Sequence, residues 1–146
     1  MASQVGDIRL GLDQASAPHS YLTLIVPTRN EAGNVEPLLR RVEAATRGIP
    51  VEVIFVDDST DETPAVISSA AERCDVPVQL IHRPPERRGD GLGGAVTEGM
   101  KASAGEWLCV MDGDLQHPPE VIPRLLDRAR DTEADVVVAS RFAPSG

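Results

Sequence analysis

The run Asp112-Gly113-Asp114-Leu115-Gln116-His117 places oxygen-bearing side chains at alternate positions. In an extended chain, residues two apart face the same side, so Asp112, Asp114 and Gln116 would present oxygens to one place. Gly113 would allow a tight approach. Oxygen donors suit a hard divalent cation, Mg²⁺ or Mn²⁺. These donors are too few for an octahedral shell, so water or the phosphate oxygens of a substrate would complete it. The same spacing serves as a capping loop ahead of Pro118 and Pro119, and on spacing alone the two readings stand level. A second candidate is Gly89-Asp90-Gly91-Leu92-Gly93-Gly94, whose backbone N–H groups could face a diphosphate. It lacks the GK[ST] of a P-loop and does not follow a first strand as a dinucleotide fingerprint would. Taken alone, it reads as a loop. Asp57 and Asp58 close an apolar run, where carboxylates can accept from a nucleobase or a ribose, or simply form a turn. His19, His82 and His117 make no nucleophilic pair with a Ser or Cys.

The elements that would position these residues follow from periodicity. Short apolar runs at 21–27, 51–57, 78–82, 107–112 and 136–140 read as strands. Helical spacing or start signals mark helices over 36–46, 63–73, 95–103 and 119–130, with Thr63-Pro64 and Pro118-Pro119 as starts. Strands alternating with helices of about ten residues indicate βαβ units, hence an α/β fold with a mainly parallel sheet and helices on both faces. Aromatics are only 3%, so the core must be Val, Leu, Ile and Ala, with Trp107 packed into it. Ligands of such sheets bind outside the carboxyl ends of the strands. The polar clusters fall there: Thr28-Arg29-Asn30-Glu31, Asp57-Asp58-Ser59, His82-Arg83, the 112–117 run and Ser140-Arg141. Residues 1–20 lack periodicity and read as a flexible leader, leaving 21–146 as one domain.

Charge narrows the function classes. The 23 acidic residues against 14 basic give −9, which argues against a nucleic-acid partner and against docking on anionic lipid by this segment. Cys74 and Cys109 have no metal-ligand or CxxC spacing and read as buried free thiols of a reducing, cytoplasmic compartment. No stretch has the apolar length of a membrane span.

Taken together, IVPTRNEAGNV (25–35), VIFVDDSTDETP (53–64), RRGDGLGGAVTEGM (87–100), GEWLCVMDGDLQHPPEVIP (105–123) and DVVVASRF (135–142) resemble a family 2 glycosyltransferase of the GT-A fold. The resemblance is to the polyprenol-phosphate (dolichol-phosphate) mannosyltransferase group and spans 21–142. It implies a nucleotide-sugar-binding domain. Pro27, Asn30 and Glu31 match the PxxNE segment, whose Glu contacts the ribose. Asp57 matches the acidic residue that holds the base, and Asp58 its partner. Asp112, Asp114 and Gln116 match a DxDxQ motif in which Asp114 and Gln116 bind the metal, while Asp112 supports nucleotide and metal. Arg88 and the glycines after it, Gly91 among them, match the loop near the donor diphosphate, and Ser140 and Arg141 a segment beside the site. The implied reaction is inverting transfer of a hexose to polyprenyl phosphate, with Mg²⁺ or Mn²⁺. GDP-mannose is the favoured donor and UDP-glucose the next.

The chain departs from the family pattern. Arg29 stands where Tyr is common, Asp90 interrupts an RGLG run, and Gly113 replaces a common Ala, which reads as harmless. Family domains continue well past position 142. The expectation is therefore a domain truncated before its acceptor-binding part, at the inner face of a membrane that it contacts through parts absent from this chain. Rival readings are a family member with another donor or a saccharide or protein acceptor, and a non-catalytic nucleotide-binding module. A nucleotidyltransferase would need its glycine loop directly after the first strand, where PTRNE stands.

Overall fold

In the computed structural model, which describes residues 20–140, the elements alternate along the chain. β1 (Leu22–Thr28) leads to α1 (Ala32–Ala45), β2 (Val51–Asp57), α2 (Thr63–Ala71) and β3 (Val78–His82). A 3₁₀ turn (Pro85–Arg87) precedes α3 (Gly91–Ala102) and β4 (Trp107–Val110), and a second (Pro119–Val121) precedes α4 (Ile122–Thr132). The four strands form one parallel sheet in the order β3-β2-β1-β4. β1 and β2 are apolar along nearly their whole length because they are central and covered on both faces.

The alternation of side chains divides the core. Leu24, Val26, Val53 and Phe55 point to one face, where α1 contributes Val35, Leu38, Leu39 and Val42, α2 Ile67 and α4 Ile122 and Leu126. Ile25, Ile54 and Val56 point to the other, packed with Ala95 of α3. Helices therefore lie on both faces, as the α/β reading requires. Gly99 lets α3 sit close to the sheet: a Cβ there would fall 2.6 Å from Cγ2 of Ile25.

Several boundaries differ from the periodicity. α1 begins at Ala32, not 36, and carries Pro37 within it. α3 begins at Gly91, so the glycines expected to form a loop make its first turn. β4 stops at Val110, and one more ladder bond runs from the Met111 N–H to the Ile25 carbonyl at 3.0 Å. The expected strand over 136–140 is absent: this segment joins no strand of the sheet, and Val136 and Val138 are each 77% exposed. A run of β-branched residues supplies strand propensity, but propensity alone does not form the ladder bonds of a strand. Cys74 and Cys109 are free, as expected, but only partly buried. The leader, residues 1–19 of it, lies outside the described residues.

Candidate active site

Register builds the floor of the site. Thr28 pairs with Asp57, and Asp57 with His82, so three polar residues stand in a row across the carboxyl edge of β1, β2 and β3. Their side chains are bonded along that row. The Asp57 carboxylate accepts from Thr28 Oγ1 at 2.7 Å and from Ser59 Oγ and N–H at 2.6 and 3.1 Å. His82 Nδ1 lies 2.8 Å from Asp57 Oδ2, the geometry of an N–H donated to that oxygen. Asp57 is fully buried, and both its oxygens are engaged by protein groups. It is a hub that orients the exposed ring of His82.

The loop after β1 is laced to the loop after β2. Asn30 adopts φ 54°, a left-handed conformation that Asn tolerates better than most residues. Its N–H donates to Ser59 Oγ at 2.7 Å, and its Oδ1 accepts from the Thr60 N–H at 3.0 Å. The Glu31 N–H donates to Thr63 Oγ1 at 3.0 Å, and Asn34 Nδ2 donates to Glu31 Oε2 at 3.1 Å. Asp61 accepts from the Thr63 N–H and hydroxyl, and these bonds hold its carboxyl below the usual range. Asn30, Glu31, Asp57 and Asp58 thus gather at one edge, with Pro27 one residue inside β1.

A buried guanidinium joins this edge to the glycine-rich segment. Arg83 has 0% side-chain exposure and forks onto Asp58, Nε to Oδ1 at 2.8 Å and Nη2 to Oδ2 at 2.6 Å. Nη1 donates to Asp90 Oδ1 at 2.8 Å and Nη2 to the Gly91 carbonyl at 2.9 Å. These carboxylates raise its pKa further, with the Asp58 hydrogen bonds the largest cause, outweighing burial. Arg88 is anchored beside it, Nε donating to the Arg83 carbonyl at 2.8 Å and Nη2 to that of Ser59 at 3.2 Å. Arg83 belonged to a polar cluster in the sequence, but nothing in its spacing distinguished it from a solvated strand end. The Gly91 N–H, expected to face a diphosphate, instead donates to the Arg88 carbonyl at 2.9 Å.

The Asp112–Gln116 run leaves the sheet beside β1. Gly113 is buried against it, and a Cβ at 113 would lie 2.9 Å from Cγ2 of Thr28. Glycine therefore matters here, because the Thr28 hydroxyl is tied to Asp57. The run is not extended. Leu115 has φ 64° and the Gln116 N–H bonds Asp114 Oδ1 at 3.0 Å, so the chain turns and the alternate-residue argument fails. Asp112, Asp114 and Gln116 are all exposed. Among the described residues no three His, Cys, Asp or Glu side chains group closely enough to hold a metal. By donor type alone, the exposed oxygens of Asp112, Asp114 and Gln116 suit a hard cation whose shell a ligand would complete. Arg141 lies outside the described residues, and Ser140 is exposed at their end.

The sequence pattern described as Glycosyl transferase family 2 matches residues 23–146. The chain belongs to that family. The glycosyltransferase domain is 38% identical over 126 residues to a dolichol-phosphate mannosyltransferase of Pyrococcus furiosus, covering 86% of this chain and 34% of that protein. An undecaprenyl-phosphate 4-deoxy-4-formamido-L-arabinose transferase of Pseudomonas fluorescens is 37% identical over 115 residues, 77% of this chain and 33% of that one. A dolichol-phosphate mannosyltransferase of Saccharomyces cerevisiae is 34% identical over 125 residues, 84% and 45%. The chain thus spans between a third and a half of these relatives. Among solved structures, glucosyl-3-phosphoglycerate synthase of Mycobacterium tuberculosis in complex with Mn²⁺, UDP and glucosyl-3-phosphoglycerate superposes with a TM-score of 0.57 at 21% identity, covering 84% of this chain and 45% of that one. Mannosyl-3-phosphoglycerate synthase of Rubrobacter xylanophilus gives 0.56 at 20% identity, 73% and 35%. The fold is GT-A. No helix of the described residues is long and apolar enough to cross a membrane.

Proposed function

We propose that this domain binds the nucleoside-diphosphate sugar of an inverting, metal-dependent transferase that moves a hexose, with mannose favoured, to polyprenyl phosphate. The observation that carries the reading is the gathering of Asn30, Glu31, Asp57, Asp58, Arg88 and Asp112 at one carboxyl edge of the parallel sheet. Relatives named for transfer to dolichol and undecaprenyl phosphate support the acceptor class. GDP-mannose remains favoured by the mannosyltransferase names and UDP-glucose stands next.

In this reading Glu31 accepts from the ribose hydroxyls. Asp57, with no exposed oxygen, reaches the base through the exposed His82 ring that it orients. Arg88 faces the diphosphate, and Asp114 and Gln116, supported by Asp112, would hold Mg²⁺ or Mn²⁺. Such a cation supplies Lewis-acid stabilisation of the charge that grows on the nucleoside diphosphate as the glycosidic bond breaks. The acceptor phosphate is already an anion and needs no strong base, so a single displacement inverts the anomeric carbon. Membrane contact would come from parts of the protein outside this chain, on the cytoplasmic side.

Calorimetric titration with GDP, UDP, GDP-mannose and UDP-glucose, with and without Mn²⁺, tests donor and metal together. Asp114→Ala should abolish the increase in affinity that Mn²⁺ gives. An unchanged metal response in that variant would defeat the assignment.

A further inference from the structure

Arg83 is the largest fully buried side chain of the described residues. A buried cation is costly, and a well-packed apolar side chain would often serve stability as well or better. What Arg83 touches therefore indicates its purpose. Four of its five N–H groups are engaged: two by Asp58, one by Asp90 and one by the Gly91 carbonyl. Nη1 also lies 3.8 Å from Glu98 Oε2, an ion-pair distance too long for a hydrogen bond. Its own N–H extends the β3 ladder to the Asp57 carbonyl at 2.9 Å, and its carbonyl anchors Arg88. With 0% side-chain exposure, the guanidinium is out of a ligand's reach. Everything it holds borders the edge where the donor is placed.

We infer that Arg83 is a positioning residue that fixes Arg88 and the first turn of α3 for the donor diphosphate without touching it, an inference that rests on the nucleotide-sugar reading above. Three features of the segment support it. Gly91 has φ +59°, a conformation its carbonyl keeps while it accepts from Arg83. The Asp90 carboxylate folds over the first turn of α3, so that a Cβ on Gly94 would fall 1.9 Å from its carboxyl carbon. Glu98, one turn further along α3, pairs with both Arg83 and Arg87. Arg83 thus ties the end of β3, the loop after β2 and two turns of α3 into one rigid unit. Asp58, engaged through both oxygens, is a strut of that unit.

A lysine can neutralise Asp58 but cannot reproduce the fork. Arg83→Lys should therefore fold, yet bind a nucleoside diphosphate about tenfold more weakly, the cost of one misplaced charge-assisted contact. Its affinity for the matching nucleoside, which carries no phosphate, should stay within about twofold. Calorimetry on the wild-type chain and the variant, in Mn²⁺, reads both, with thermal melting as the control for folding. Equal loss on nucleoside and diphosphate, or no loss on either, overturns the inference. Should Arg83→Lys fail to fold, Gly94→Ala dislodges Asp90 from Arg83 and should also weaken only the diphosphate, by at least about threefold. Unchanged diphosphate affinity in Gly94→Ala then overturns it. A wild-type chain that binds no nucleotide at all fails the functional reading first and carries this inference down with it. Tight wild-type binding with an indifferent Arg83→Lys sinks the inference alone.

Discussion

Cys109 lies in β4 between Leu108 and Val110, with its side chain turned toward the helix-covered face that α1, α2 and α4 fill. Burial pushes its thiol up to about 11, and Cys74 is raised for the same leading reason. A raised thiol pKa means that the folded chain favours the neutral form. The associated stability is complete below the ordinary thiol pKa and is lost as pH rises through about 11. The thiolate is the reacting species, so alkylation of Cys109 by iodoacetamide at pH 8 should run roughly 100-fold slower in the folded than in the unfolded chain. Peptide mass spectrometry gives both rates, and equal rates would mean that β4 does not enclose the thiol. At this scale the sequence showed which residue types collect at strand ends, because polar residues after apolar runs are visible in one dimension. It did not show that Asp57 is buried to 0% and saturated, since its partners Thr28 and His82 are 29 and 25 positions away. Arg83 was hidden for the same reason: its three carboxylate partners come together only when β2, β3 and α3 are assembled.

At the scale of elements, α3 shows why local preference misplaced a boundary. Glycine disfavours helix by about 1 kcal/mol relative to alanine, so Gly91-Leu92-Gly93-Gly94 reads as loop. Tertiary contacts override that preference, with Arg83 holding the start of the helix and Ala95 and Gly99 packing it on the sheet. The Gly99 contact has a direct test. A methyl group at 99 would overlap Cγ2 of Ile25, a residue at 0% exposure with nowhere to retreat. Gly99→Ala gains helix propensity, yet should lower unfolding free energy by about 1–3 kcal/mol through overpacking. Urea denaturation measures the sum of the two effects, and a more stable variant would show that α3 rides higher than described. The 112–116 run failed differently. Alternation was the right rule for an extended chain, but the left-handed residue that turns the chain is Leu115, not the neighbouring Gly113. The 136–140 run has the composition of a strand yet joins no strand of the sheet, although the outer edge of β4 is open, and composition carries no information about pairing.

The whole molecule balances charge against an open edge. The order β3-β2-β1-β4 leaves β4 outermost, and the face that α3 covers over β1 and β2 lies bare over β4, with Leu108 40% and Val110 51% exposed. A groove of about 500 Å³ runs beside it, lined by Met111, Leu125, Val136 and Val138 among others. An unpaired apolar edge strand is a template for association with another copy. The net charge of −9 opposes this by mutual repulsion. Repulsion between exposed charges is screened by salt, with a Debye length of about 10 Å at 0.1 M and about 3 Å at 1 M, whereas apolar contact is not. Self-association of this chain should therefore increase as NaCl is raised from 0.05 to about 0.5 M, the opposite of an assembly held by ion pairs. Val110→Lys places a charge on the edge at an exposed position, so it should suppress association across that range while shifting the unfolding free energy by no more than about 0.5 kcal/mol. Sedimentation velocity on both proteins decides it. Association that falls with salt, or that persists unchanged in Val110→Lys, would locate the contact away from β4 and leave the apolar edge without a role in how the domain behaves in solution.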